Sequence, residues 1–274
     1  MSEHNYDTLI LGGGGVKSVA MIGVLKIMDD KGILGKIHNY IGSSAGGLIA
    51  FLLSIGFSPT ELHDIMMNID FGKYRKINIV GLLNNCGLDD GKEFMRLIAN
   101  IAKQKKITDT ITFTELHEKF GNRLILTGSN ISTEQSEFYD HISSPDMRVL
   151  DAVRITIAYP VIYTPVQRGD ERLIDGGFFE PFPFNYLKDT KRIGIIFHNP
   201  KQRHDIKNFE DMLFGLFQGF VNRYEREHFK GSEDNIVFLP IEEVHAMKFD
   251  LSVEEKQKLY KIGLDEGSRF FNDT

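Results

Sequence analysis

The sequence predicts an α/β fold on a parallel sheet. Two strand–turn–helix units follow one another near the N-terminus, each hinged on a glycine-rich turn, and further short apolar runs bounded by turn residues suit buried strands. Two such units in succession imply parallel strands with right-handed crossovers. The chain has 274 residues, 42% of them hydrophobic, which suffices for one large domain with a sizeable core. No repeat, low-complexity tract or long linker divides it, so residues 1–274 are expected to form a single domain.

Thr8-Leu9-Ile10-Leu11 is the first strand, ended by Gly12-Gly13-Gly14-Gly15. Val16 to Asp30 follows as a helix whose Val16, Val19, Ala20, Gly23 and Ile27 face the core, with Gly32 past its end. The second unit is a strand over His38 to Ser43 and an almost wholly apolar helix over Ser44 to Ser54. Ser58-Pro59-Thr60-Glu61 is a capping box with proline at the first helical position, starting a helix that runs to about Ile69. Asp70 to Asp89 shows neither period and reads as a loop or cap over the core.

Lys92 to Gln104 is an amphipathic helix, and a short helix is expected over Phe113 to Lys119. Leu124 to Thr127 and Ile193 to Phe197 read as buried strands, Glu137 to His141 as an edge strand. Arg172-Leu173-Ile174 runs into Asp175-Gly176-Gly177. Helices are expected over Phe209 to Phe229 and Val253 to Phe271, with Val237 to Leu239 a strand between them.

The net charge of -6 argues against a nucleic-acid surface, which needs clustered Lys and Arg. Cys86 is the only cysteine, so no intramolecular disulfide forms and a reducing interior is the simpler setting. No signal peptide is apparent at Met1 to Asp7, and no apolar run reaches the roughly 18 residues of a membrane span. The expected location is cytoplasmic or peripheral to a membrane.

Three constellations carry chemistry. Ser44 has Gly42 and Gly46 two positions to either side, the G-x-S-x-G pattern that exposes a serine on a strained strand-to-helix bend; simple packing of small residues against a buried helix is the alternative. The four glycines after the first strand bring unhindered backbone N–H groups to a helix start, suited to a phosphate or to a developing oxyanion. A dinucleotide fingerprint would need a third glycine where Ser18 or Lys17 stands, and a P-loop would need glycine where Val16 precedes Lys17-Ser18. Together, nucleophile and oxyanion donors read as acyl transfer, with Ser44 as nucleophile and the glycine run as oxyanion hole.

A serine nucleophile also needs a base. Asp175 ends a short apolar strand and is followed by Gly176 and Gly177, which leave room around its carboxylate. As a lone Asp-Gly pair it would read as a turn former; beside the other two motifs it becomes the base, although 131 residues separate it from Ser44. An α/β-hydrolase order of serine, acid and histidine is available through His198, His204, His228 or His245. The elbow, however, follows the second predicted strand rather than a central one, and most of these histidines lie in polar segments. Leu116-His117-Glu118 lacks the second histidine of a zinc helix, since Gly121 stands there.

Together these residues resemble the patatin-like phospholipase family. The likeness lies in Gly13-Gly14-Gly15-Val16-Lys17, Gly23-Val24-Leu25-Lys26, Gly42-Ser43-Ser44-Ala45-Gly46, and Asp175-Gly176-Gly177. Asp151-Ala152-Val153-Arg154 and Ala158 to Pro165 are similar to the family's segment before its aspartate, so that order and spacing agree over roughly residues 8 to 200. The resemblance implies a three-layer α/β/α sandwich around a mainly parallel central sheet, and a Ser–Asp dyad without a catalytic histidine. Ser44 would be the nucleophile and Asp175 its base; the N–H groups of Gly13, Gly14 and Gly15 would form the oxyanion hole, supported by Lys17, Gly42, Gly46, Gly176 and Gly177. Neither metal nor cofactor is implied.

The chain departs from the family pattern at Ser18, at Ile155-Thr156-Ile157 and at Glu180-Pro181, none of which removes a catalytic group. The implied reaction is acyl-ester hydrolysis of membrane phospholipid or another acyl lipid through an acyl-serine, with transient contact at a membrane surface. A catalytically idle member of the same fold that holds lipid or protein is the alternative, and nucleotide-dependent phosphotransfer at the glycine loop is a third reading. The apolar helix expected over Phe209 to Tyr224 reads as buried core, with a homo-oligomer contact or a membrane contact as alternatives. Ile77 to Leu83, beside Lys73, Arg75 and Lys76, is the better membrane candidate, with a solvated loop as its alternative.

Overall fold

Apolar residues alternate across a central sheet of eight strands, and this alternation divides the core in two. The computed structural model describes residues 5–198, 233–241 and 248–272, with isolated positions between 206 and 223. Its strands are β1 (Thr8–Leu11), β2 (Asn39–Gly42), β3 (Gly87–Asp89), β4 (Arg123–Asn130), β5 (Gln135–Tyr139), β6 (Val161–Tyr163), β7 (Val166–Arg168), β8 (Glu171–Asp175), β9 (Arg192–Phe197) and β10 (Ile236–Leu239). The helices are α1 (Val19–Asp30), α2 (Ala45–Ser54), α3 (Pro59–Asn68), α4 (Ile79–Asn85), α5 (Lys92–Lys103), α6 (Phe113–Phe120), α7 (Val149–Thr156) and α8 (Val253–Asn272).

The sheet runs β10-β9-β1-β2-β4-β8-β7, with β5 also on β4. The strands from β10 through β4 are parallel, whereas β5 and β8 run antiparallel to β4. The molecule is thus an α/β fold with a mixed, mainly parallel central sheet flanked by helices. Leu9, Leu11, Leu124 and Leu126 face α1, α2 and α7 in the larger core cluster. Ile10, Ile41 and Ile125 face the opposite way, against Phe182 and Phe184. The helix expected over Phe209 to Phe229 lies mostly outside the described residues.

Registry within the sheet fixes where the site falls. Leu126 of β4 pairs with both Gly42 of β2 and Tyr139 of β5, so those two strands flank β4 on opposite sides. Gly128 pairs with both Glu137 of β5 and Asp175 of β8, so β8 lies opposite β5 and on the side of β2. Strands β2 and β8 therefore share one lane beside β4 and run toward each other. Their C-terminal ends meet, and those ends carry Ser44 and Asp175.

The predicted elements recur with three changes. The first helix opens as a 3-10 turn over Gly15–Ser18 before α1 begins. The capping box at Ser58 is formed, with Glu61 and Ser58 bonding reciprocally at the start of α3. Asp70 to Asp89, expected as a loop or cap, instead holds a 3-10 turn (Phe71–Tyr74), α4, and β3 paired in parallel with β6. Helix α7 and the short strands β6 and β7 arise in segments where no element was expected.

Helix α8 lies directly on α1. A Cβ on Gly263 would stand 1.8 Å from the carbonyl oxygen of Ala20, and one on Gly23 would stand 2.3 Å from that of Tyr260. Only glycine at the crossing permits this backbone contact. Among the described residues, no helix is long and apolar enough to cross a membrane.

Candidate active site

The turn from β2 into α2 is tight because nothing protrudes from its glycines. A Cβ on Gly42 would come within 2.5 Å of the Gly47 Cα, and one on Gly46 within 2.4 Å of the carbonyl oxygens of Leu11 and Gly12. The strand can therefore bend straight into the helix, and the bend places Ser44 at φ 54° and ψ -129°. A non-glycine residue so far from the allowed regions is strained, and its surroundings must hold it there. Thr156, at the end of α7, does so: its Oγ1 accepts the Ser44 N–H at 3.0 Å. Thr156 lies in the Ile155-Thr156-Ile157 departure from the family pattern, and only the fold reveals this role.

The Ser44 hydroxyl donates to Oδ2 of Asp175 at 2.6 Å. Asp175 is the last residue of β8 and only 1% exposed. Its Oδ1 accepts the N–H of Gly177 at 2.8 Å, which orients the carboxylate toward the serine. A Cβ on Gly176 would lie 2.0 Å from Oγ1 of Thr127, so the chain can pass this close to β4 only as glycine. Burial pushes the Asp175 carboxyl up to about 7, against the opposing pull of the Ser44 and Gly177 hydrogen bonds. That value suits a group that must take and return a proton near neutrality.

The glycine run divides by role. The Gly13 N–H is engaged by the carbonyl of Pro181 at 3.3 Å, while a Cβ on Gly13 would be 3.3 Å from that of Ser44. Among the described residues, no acceptor meets the N–H of Gly14 or of Gly15, and Gly15 lines the cavity beside Ser44. Of the three expected donors, Gly13 is the one whose N–H already meets an acceptor. Lys17 points elsewhere: it is buried, and its ammonium reaches the carbonyl oxygen of Ile241 at 3.4 Å. Burial lowers its pKa to about 8.

Of the histidines that an α/β-hydrolase reading offers, only His198 is among the described residues. His198 packs on Phe238, with ring centroids 5.2 Å apart. His204, His228 and His245 lie outside the described residues. Ser44 and Asp175 open instead into an apolar cavity enclosing about 810 Å³ of empty space, its open mouth included. Leu48, Ile49 and Leu52 of α2 form one wall, Leu62, Ile65 and Met66 of α3 another, and Phe71, Phe94, Tyr163 and Phe249 close it. Walls of this character suit the apolar part of a ligand.

Known proteins resemble this chain in sequence and in fold. The Patatin family profile, described as patatin-like phospholipase, matches residues 9–188. The probable lipid hydrolase 463L of Invertebrate iridescent virus 6 is 30% identical over 241 residues, spanning 85% of this chain and 78% of that protein. Among solved structures, VipD from Legionella pneumophila superposes with a TM-score of 0.68 at 14% identity, covering 98% of this chain and 67% of VipD. The type III effector ExoU gives a TM-score of 0.58 at 16% identity; the chain, 98% covered, spans 53% of it. These two show the fold. The protein is of the patatin-fold class of α/β proteins, and by the family match it belongs to the patatin-like phospholipase family.

Proposed function

We propose that this protein is a lipid acyl hydrolase of the phospholipase A or lysophospholipase type, working through a Ser44–Asp175 dyad. The observation that carries the reading is the 2.6 Å hydrogen bond from the strained Ser44 to a buried carboxylate at the floor of an apolar cavity. The acyl chain lies along the walls from α2 and α3, and its ester carbonyl meets Ser44. As Oγ attacks the carbonyl carbon, Asp175 accepts the hydroxyl proton, and the N–H groups of Gly14 and Gly15 receive the negative charge that forms on oxygen.

Collapse of the tetrahedral species breaks the bond to the alcohol oxygen. Asp175 returns its proton to that oxygen, and an acyl-serine remains. Water then gives its proton to Asp175 while attacking the acyl carbon; the returning proton restores Ser44, and the fatty acid leaves. The reading is supported by family membership and by the probable lipid hydrolase relative.

Fatty-acid release from mixed phospholipid vesicles tests it, comparing the unmodified protein with Ser44→Ala and Asp175→Asn. Release that is abolished by Ser44→Ala and reduced at least about thousandfold by Asp175→Asn is expected. Equal release by all three proteins would contradict the dyad.

A further inference from the structure

Ile77, Ile79 and Val80 are 63%, 71% and 66% exposed, three large aliphatic side chains within four residues. Isolated exposed aliphatics need no explanation, but a cluster marks a contact surface. The segment bearing them is pinned to the cavity wall on both sides. Before it, the Arg75 guanidinium sits 4.7 Å from the ring centroid of Phe249, and Phe71 opens the same stretch; both aromatic residues line the cavity. Across it, the Lys76 N–H donates to Oδ2 of Asp89 at 2.6 Å and the Asn78 N–H to the carbonyl of Leu88 at 2.7 Å. These acceptors belong to β3, whose partner β6 carries Tyr163, another wall residue. The patch is therefore continuous with the rim of the cavity that holds Ser44.

We propose that this segment seats the protein on a lipid bilayer, with Ile77, Ile79 and Val80 entering the boundary between headgroups and acyl chains. The choice of a bilayer over a protein partner rests on size and continuity. Among the described residues of this segment, three exposed aliphatic side chains fall far short of the roughly 20–30 residues a side of a standard protein interface. They suffice for a shallow interfacial anchor beside the entrance for a lipid. Lys73 and Lys76 beside the patch are 78% and 71% exposed, and each is paired, with Asp70 and Glu93. Cationic and anionic side chains are mixed at this rim, with Glu93 shared between Lys76 and Arg96, which together with the net charge of -6 suits zwitterionic headgroups. Relating the patch to substrate entry rests on the hydrolase reading above; the docking itself does not.

The test uses the full chain carrying Ser44→Ala, so that vesicles stay intact, and flotation with phosphatidylcholine vesicles. Adding Ile77→Asp, Ile79→Asp and Val80→Asp together is expected to lower the vesicle-bound fraction at least about tenfold. In the Ser44-intact protein the same three changes should leave hydrolysis of a short-chain soluble ester unchanged. Because the chain contains no tryptophan, Ile79→Trp supplies a single reporter in a protein without the charged substitutions. Its emission should shift to the blue on vesicle addition and be quenched by brominated phosphatidylcholine. Undiminished binding by the triple variant, an unshifted emission from the Ile79→Trp variant, or no vesicle binding by the Ser44→Ala parent would each overturn the proposal. A dimer that the triple variant converts to monomer would assign the patch to a second copy and overturn it equally. Vesicle binding without fatty-acid release by the unmodified protein would refute the hydrolase reading and leave the docking surface standing.

Discussion

Asp175 serves the proposed chemistry at the expense of stability, and both effects follow from its burial. Its carboxyl titrates near 3.8 in the unfolded chain and near 7 in the fold. The folded protein therefore holds an extra proton between those values. The group's contribution to stability is complete below pH 3.8 and is lost as pH rises through 7. Asp175→Asn, which keeps the shape and can still accept from Gly177, should melt higher than the unmodified protein. The gap should widen from pH 5 to pH 8, reaching on the order of 4 kcal/mol; thermal melts at the two pH values check this, and an equal gap at both would contradict it.

Catalysis by the proposed dyad should show the opposite dependence, because only the carboxylate can take the Ser44 proton. The value of kcat/KM should rise tenfold per pH unit below about 7 and level off above it. A profile flat from pH 5 to 9 would exclude Asp175 as the base. Thr156 acts through Ser44: Thr156→Val leaves the Ser44 N–H without its acceptor, at a cost of about 1–3 kcal/mol. That should lower kcat roughly tenfold to a hundredfold with little change in KM, and Thr156→Ser should restore it.

At the scale of elements, the lane shared by β2 and β8 explains how residues 131 apart in sequence come to touch. Strands β1 and β2, their glycine turns and the capping box of α3 were legible because each is a local signal: an apolar run, a residue without a Cβ, a side chain bonding the backbone three residues on. The pairing of β8 beside β4 was not legible, since registry depends on contacts between distant segments. The stretch from Asp70 to Asp89 escaped for a related reason. Its α4 is seven residues long with exposed Ile79 and Val80, so no burial period marks it, and β3 is defined only by its pairing with β6. The roles of Gly13 and Lys17 likewise depended on Pro181 and Ile241, which no local pattern connects to them.

The crossing of α1 and α8 gives an element-scale prediction. Gly263→Ala would press a methyl group into the Ala20 carbonyl and should cost about 3 kcal/mol, lowering the melting temperature by roughly 6–12 °C. Gly35→Ala, where nothing lies within 4 Å of the added carbon, should change it little. Equal melting temperatures for the two variants would contradict the backbone contact between the helices.

For the whole molecule, one sheet brings together a strained serine, a buried acid and a glycine turn, and the helices on one face enclose the apolar cavity above them. These parts come from the first two βα units, from β8 and from α3, so only the assembled fold makes the site. The proposed chemistry requires Ser44 to be an activated nucleophile in that assembly. The most direct measurement is to react the purified protein with a fluorophosphonate and locate the adduct by peptide mass spectrometry. One adduct is expected, on Ser44, absent from Ser44→Ala and formed far more slowly by Asp175→Asn. An adduct on another serine, or labelling of Ser44→Ala at the unmodified rate, would contradict the proposed chemistry.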